Sequence, residues 1–181
     1  MPEEDVLKFI AKNGEKITLR LAGCQDAEEI ISVIKTNAPD RSYVLMEHYG
    51  TKSDAVKKYI CSMDFEKNLL IVAVTERAVV GALSGIQMNS GKSPQTAHIL
   101  NIGLHLVPAY RGMGIGSKML DYAINWAKER KFKKLEANIF TTNKKSLHLF
   151  ERAGFIEEGM RHKRIRIGNQ YIDEVLIGKI L

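Results

Sequence analysis

The chain is short of cysteine, proline and long apolar runs, and each shortage closes off a class of protein. Only Cys24 and Cys61 occur in 181 residues. They are too few for a disulfide framework and lack the spacing of a metal site, so a reducing compartment is the expected setting. With four prolines and no repeat or low-complexity stretch, the composition excludes collagen-like and proline-rich chains. The apolar runs, such as Leu69 to Val74 (LLIVAV), fall far short of the ~20 residues that span a bilayer, so no membrane contact is expected. The N-terminal MPEEDVLKF begins acidic and lacks the apolar stretch of a secretory signal. The expected location is the cytoplasm.

What is present is an ordinary globular composition, 45% hydrophobic and 27% charged, with 27 lysines and arginines against 21 acids for a net charge of +6. A single domain over residues 1–181 is expected at this length. A charge of that size leaves room for an anionic ligand but is weak evidence for direct nucleic-acid binding.

Periodicity divides the chain. Ile17 to Ala22 alternates as a half-buried strand, and Asp26 is placed to cap a helix with Ile30, Val33 and Ile34 on one face, stopped by Pro39. A polar stretch through Arg41, Tyr43 and His48 is expected to shape a pocket before a second helix over Ser53 to Met63. Leu69 to Thr75 and Ala78 to Gln87 read as a hairpin, followed by a strand over Ala97 to Leu106. From Gly114 to Arg130 the apolar residues Ile115, Met119, Tyr122, Ala123 and Trp126 recur at the helical period. A strand over Leu135 to Phe140, a helix over Asn143 to Ala153 closed by Gly154, and a hairpin turning at Gly168-Asn169 complete the chain. The expected fold is α/β (α+β), a mixed, mostly antiparallel central sheet with helices on both faces. It contains one parallel β-α-β unit.

Arg111-Gly112-Met113-Gly114-Ile115-Gly116-Ser117 lies between a buried strand and the N-terminus of the strongest helix. Glycines at alternate positions let a ligand approach the backbone, and the free N–H groups of the helix start favour a phosphate or pyrophosphate. Arg111 adds a cation beside it. Read blandly, the loop is a glycine-rich turn that starts a helix. A P-loop requires Gly-Lys before Ser or Thr, and Ser117 separates Gly116 from Lys118. The dinucleotide fingerprint can be laid on Gly112, Gly114 and Ser117 with Glu136 about 20 residues on as the ribose acid. Against it, Val107 to Arg111 intervenes between strand and loop, and roughly 100 residues precede a unit that normally opens its domain.

Arg111-x-x-Gly114-x-Gly116 matches the Q/R-x-x-G-x-G/A signature of the GNAT superfamily of acetyl-CoA-dependent N-acetyltransferases. HLVPAYRGMGIGSKML resembles that family's strand-to-helix stretch, and NKKSLHLFERAGF its later N-x-x-A-x-x-L-Y-E-K-x-G-F element. The C-terminal stretch with Gly159, Gly168, Tyr171 and Asp173 is similar to the ribosomal-protein, spermidine and phosphinothricin-acetyltransferase-like branches. The resemblance covers residues 69–180 well, and the first 65 only in element order. It implies a GNAT fold, acetyl-CoA as cosubstrate, no metal, and direct transfer to an amine acceptor, a small molecule or a protein N-terminus. Cys24 and Cys61 lie outside the motifs and are not needed as nucleophiles. The resemblance assigns the backbone of Leu104, His105 and Leu106 to the pantetheine arm, and Gly112, Met113, Gly114, Ile115, Gly116 and Ser117, with Arg111 at the mouth, to the pyrophosphate. Asn143, Ser146 and Phe150 are placed beside the cofactor, with helix capping as the bland role of Asn143. A splay between the parallel strands would admit the thioester.

Two positions depart from the family's pattern. Phe150 stands where many relatives carry a proton-donating tyrosine, and Asn101 where several place a glutamate. A thiolate with a pKa near 8.5 leaves tolerably without full protonation. Strand alternation puts Asn101, Gly103 and His105 on one face, so His105 is the candidate base, directly or through water, with Asn101 positioning water or amine. His98 and His148 rank below it. Without a carboxylate base, an α-amine of pKa about 7.7–8.0 is favoured over an alkyl amine near 10.4. The two departures also fit a rival reading, a CoA-binding sensor that has lost catalysis. Arg161 to Arg166 (RHKRIR) reads as a solvated strand edge alternating its faces, or as contact with an acidic partner or ribosomal RNA. The C-terminal hairpin edge allows a homodimer.

Overall fold

In a computed structural model the described residues are 6–36 and 53–181. The elements in order are β1 (Leu7–Ile10), β2 (Lys16–Leu21), a 3-10 turn at Cys24–Asp26, α1 (Ala27–Thr36), α2 (Ser53–Cys61), β3 (Leu69–Val74), β4 (Val79–Gln87), β5 (Ile99–Leu106), α3 (Ile115–Glu129), β6 (Lys134–Phe140), α4 (Lys144–Arg152), β7 (Ile156–Ile167) and β8 (Gln170–Ile180). They form one eight-stranded sheet in the order β1-β2-β3-β4-β5-β6-β8-β7. Every pairing is antiparallel except β5 with β6. This is the mixed fold that the periodicity implies. Pro39, Arg41, Tyr43 and His48 lie outside the described residues.

The unbroken apolar run LLIVAV is explained by burial on both sides of the sheet. Leu69, Ile71 and Ala73 join the core beneath α3 with Ile115, Met119, Ala123 and Trp126. Leu70 and Val72 join a second core with Ile30, Val33 and Ile34 of α1 and Ile60 of α2. Successive strand residues point to opposite faces, so α3 covers one face and α1 with α2 the other. Among the described residues no helix is long and apolar enough to cross a membrane.

Asp26 is not a simple cap of α1. Its carboxylate reaches back to accept from Gly23 N–H at 2.7 Å, and from both terminal nitrogens of Arg20 at 2.6 and 2.8 Å. Burial opposes its ionisation, but these hydrogen bonds outweigh burial and hold the carboxyl below its usual range. The Arg161 to Arg166 run also departs from simple alternation. Between Arg161 and Ile165 the ladder of β7 on β8 shifts register. Lys163 adopts φ +50° there, and its N–H donates to Asp173 Oδ1. Arg161 and Arg164 both reach the buried Glu174, so two acids of β8 partly neutralise the cluster.

The two cysteines, too few for a disulfide framework, nonetheless form one bond. Cys24 and Cys61 are bonded across 37 residues of sequence, Cα atoms 5.2 Å apart. The bond ties the end of α2 to the turn before α1. Closing a loop of that length restricts the unfolded chain, worth about 2–4 kcal/mol. Reduction, or Cys24→Ser with Cys61→Ser, is expected to lower unfolding free energy by that amount in urea titration. An unchanged midpoint would show that the bond contributes nothing.

Candidate active site

The site begins where the sheet fails to close. β5 pairs in parallel with β6 only over Ile99, Leu100 and Asn101, opposite Lys134, Leu135 and Glu136. Beyond that point β5 stays on β4 as far as Leu106 opposite Gly81, and β6 stays on β8 as far as Phe140 opposite Glu174. Each strand is held on its outer side while the inner sides part. The expected splay is present, with Asn101 and Glu136 at its closed end.

Backbone direction in the gap follows from one hydrogen bond. Val107 N–H donates to Val80 carbonyl on β4 at 2.9 Å. Main-chain groups alternate sides along a strand, so those of His105 and Gly103 also face β4, while those of Leu106, Leu104 and Ile102 face the gap. Of the three residues expected to offer backbone to a ligand, Leu104 and Leu106 turn theirs to the gap and His105 turns its own to β4. The Leu106 carbonyl is approached by Arg111 Nε at 3.4 Å. The side chains of Leu104 and Leu106 pack on the core.

Residues 111–117 carry the gap toward α3. Gly112 and Gly114 have φ of +78° and +86°, and a Cβ at either would meet no atom of the described residues within 4 Å. Here glycine supplies a left-handed backbone with an open face. Gly116 serves differently. A Cβ there would lie 3.0 Å from Leu149 Cδ2 and 3.3 Å from Leu106 Cδ1, so its absence lets α3 settle against β5 and α4. Main-chain carbonyls in the loop are used: Lys12 N–H donates to Met113 O and Lys118 N–H to Gly114 O. The N–H groups of residues 112–117 have no main-chain acceptor among the described residues. These orphan donors and the positive end of the α3 dipole suit an anionic diphosphate. Ile115 is core, Met113 is half-buried against that core, and Ser117 is exposed.

α4 supplies the far wall. Asn143 Oδ1 accepts from Ser146 N–H at 3.1 Å, which makes Asn143 the helix N-cap. Ser146 is half-buried on the first turn. Phe150 is placed in the core, 2% exposed, its ring edge-on to Phe155 at 4.9 Å. It presents almost no surface to a cofactor, contrary to the expectation that put it there. His98 and His148 are exposed, the latter 3.5 Å from Glu151.

On the α1–α2 face, the ladder sets Asn101 opposite Ile86, Gly103 opposite Ser84, and His105 opposite Ala82. Among the described residues, a Cβ on Gly103 would meet only Ser84 Oγ, at 3.0 Å, so these residues leave an opening between Asn101 and His105. His105 is half-buried, and loss of water pushes its pKa down to about 4. The imidazole is therefore neutral at neutral pH but holds a proton poorly. Glu136, considered in the sequence only as a ribose acid, shares this face by its register with Asn101. Ser84 was not singled out at all. Both follow only from strand register, which local periodicity does not fix.

Comparison with known proteins agrees with this geometry. The model of the Acetyltransferase (GNAT) family matches residues 32–155, more than half of the chain. The Bacillus subtilis (strain 168) protein YwnH, whose name places it provisionally among phosphinothricin acetyltransferases, is 28% identical over 165 residues, covering 91% of this chain and 99% of YwnH. In fold, the chain resembles a ribosomal-protein-alanine N-acetyltransferase from Brucella melitensis (23% identity, TM-score 0.80, 90% of this chain and 99% of that one). It also resembles a phosphinothricin acetyltransferase from Sinorhizobium meliloti in complex with acetyl-CoA (19% identity, TM-score 0.81, 91% and 88%).

The depressed His105 pKa has a signed consequence. Between pH 6.5 and about 4 the unfolded histidine binds a proton that the folded one refuses, so acidification through that window destabilises the fold, by at most about 3 kcal/mol. His105→Gln is expected to flatten this part of the stability–pH curve. An equally steep curve in the variant would place the acid sensitivity elsewhere.

Proposed function

The chain belongs to the GNAT acetyltransferase family, and on that premise we propose that it moves the acetyl group of acetyl-CoA directly to a primary amine, with the α-amine of a peptide, protein or amino acid as the favoured acceptor. The observation that carries this reading is the continuity of the β5–β6 gap with the unpaired N–H groups of residues 112–117. One end offers an extended backbone edge and the other an anion cradle, the two kinds of surface that a pantetheine arm and a diphosphate require.

In this arrangement the N–H groups of Gly112, Met113, Gly114, Ile115, Gly116 and Ser117 hold the diphosphate. Arg111 stands at its mouth. Leu104 and Leu106 add their inward main-chain groups to the pantetheine amides as an added strand would. Acetyl-CoA supplies the activated acyl group. The Leu104 N–H, aimed into the gap, is placed to polarise the acetyl carbonyl and to stabilise negative charge that develops on its oxygen. Asn143 fixes the start of α4 and with Ser146 borders the arm. Asn101, beside the opening over Gly103, orients the acceptor or a water, and His105 closes that opening with a neutral ring.

Acceptor preference follows from proton energetics. An α-amine with a pKa of about 7.7–8.0 is substantially neutral near pH 7, whereas an alkyl amine near 10.4 is neutral only to about one part in a few thousand. A site poor in strong bases turns over the first more readily. The proposal includes a homodimer through the free β7 edge, beside which Ile156 and Ile180 are 66% and 72% exposed.

Thiol release from acetyl-CoA with a panel of amines, followed by mass determination of the product, is expected to show a gain of one acetyl group and faster turnover of an α-amine peptide than of an alkyl diamine. Strong preference for the diamine would overturn the acceptor assignment. Gly114→Val, which places a branched side chain at positive φ in the cradle, is expected to weaken CoA binding about tenfold or more in calorimetry, roughly 1.4 kcal/mol. Undiminished affinity would place the diphosphate elsewhere.

A further inference from the structure

Asn101, at the closed end of the gap, is an amide and takes no proton from an ammonium. The structure places a carboxylate at the same spot from the other strand. Asn101↔Glu136 is the last residue pair that β5 and β6 form before parting. Residues paired across a parallel ladder project from one face, their strands about 4.8 Å apart. Glu136 therefore shares with Asn101, Gly103 and His105 the face toward α1 and α2, at the closed end of the gap.

Its surroundings hold that carboxylate in place yet leave it reachable. The Glu136 side chain is 23% exposed and lies 2.9 Å from Lys134 Nζ, which is also 2.8 Å from Glu158 of β7. One ammonium serving two carboxylates leaves the trio with a net charge of −1, a field that attracts a further cation. Among the described residues of the strands bordering the gap, the other titratable groups on this face are His105 on β5 and, four residues along β6 and across on β8, Glu174 with its partners Arg161 and Arg164; Arg20, paired with Asp26, lies farther off on β2. Glu174 is buried and engaged by arginine, and Glu158 lies on the outermost strand. Glu136 is the carboxylate that register brings to the closed end of the gap.

We propose that Glu136 holds the acceptor's ammonium there and receives its proton, directly or through one water. This rests on the acetyl-transfer reading and assigns its base. The ammonium gives one proton to a Glu136 oxygen, and the freed lone pair forms the C–N bond to the acetyl carbonyl carbon. As the C–S bond breaks, the sulfur leaves with a second nitrogen proton as the free thiol of CoA, and Glu136 returns its proton to water.

The test is the pH dependence of kcat and KM with a tripeptide carrying a free α-amine and with 1,4-diaminobutane, alongside CoA calorimetry, for the wild type, Glu136→Gln and Lys134→Met. Glu136→Gln is expected to lower kcat about 100-fold near pH 7, with the deficit shrinking at alkaline pH as the amine loses its own proton, and with CoA affinity retained. Lys134→Met is expected to retain turnover and to move the acid limb of the profile to higher pH, because losing the cation raises the carboxylate's affinity for a proton. A Glu136→Gln enzyme with the wild-type rate and profile overturns the assignment, as does a Lys134→Met enzyme that loses as much as Glu136→Gln, since the pair would then be a structural tie. If Glu136→Gln loses CoA binding, the Lys134→Met profile decides: a raised limb supports the assignment and an unmoved one overturns it. Wild-type protein that releases no thiol with either amine fails the acetyl-transfer reading itself.

Discussion

Two neighbouring strands that cannot finish their ladder set the terms for everything else in this molecule. β5 and β6 share three residue pairs and then part, because each is committed along its whole length to an outer neighbour, β4 or β8. An unpaired strand edge inside a sheet is costly unless something else takes up its hydrogen bonds. The main-chain groups of Leu104 and Leu106 face that edge, and a ligand with amides of its own is the natural complement.

The first turn of α3 belongs to the same device. Gly116 lets the turn rest on Leu104, Leu106 and Leu149, which draws β5 and α4 around the helix start. Gly112 and Gly114, with positive φ and no described residue opposite them, leave the neighbouring N–H groups uncovered. One loop thus uses glycine for close packing at one position and for an open, left-handed backbone at two others. The two cores above and below the sheet, one under α3 and one under α1 and α2, keep the gap and the helix start in fixed relation. That rigidity is what a positioned ligand needs.

Much of this was legible in the residues. LLIVAV, the helical period from Ile115 to Trp126, and Asn143 followed by Gly154 each fixed an element to within a residue or two, because burial and capping are local signals. The loop was legible for the same reason, since φ preference and helix-start chemistry are written in a few adjacent residues. Register was not. The pairing of Asn101 with Glu136, and of Gly103 with Ser84, depends on how separate segments slide against one another, and the sequence presents Glu136 as one more acid on a strand. The same blindness hid the Lys163 bulge, which Asp173 creates from the partner strand, and the Cys24–Cys61 bond, whose halves are 37 residues apart. Phe150 misled for a different reason: its motif position pointed to the cofactor, while packing against Phe155 turned the ring into the core.

The account stands or falls on whether the free amides of residues 112–117 and the inward amides of β5 form one continuous ligand surface. Backbone amide NMR during titration with CoA addresses this without requiring the acceptor. Shifts concentrated at Gly112 to Ser117 together with Leu104 and Leu106, with His105 N–H moving little because it is bonded to β4, are the expected result. Shifts confined to other elements, or none at saturating ligand, would contradict it.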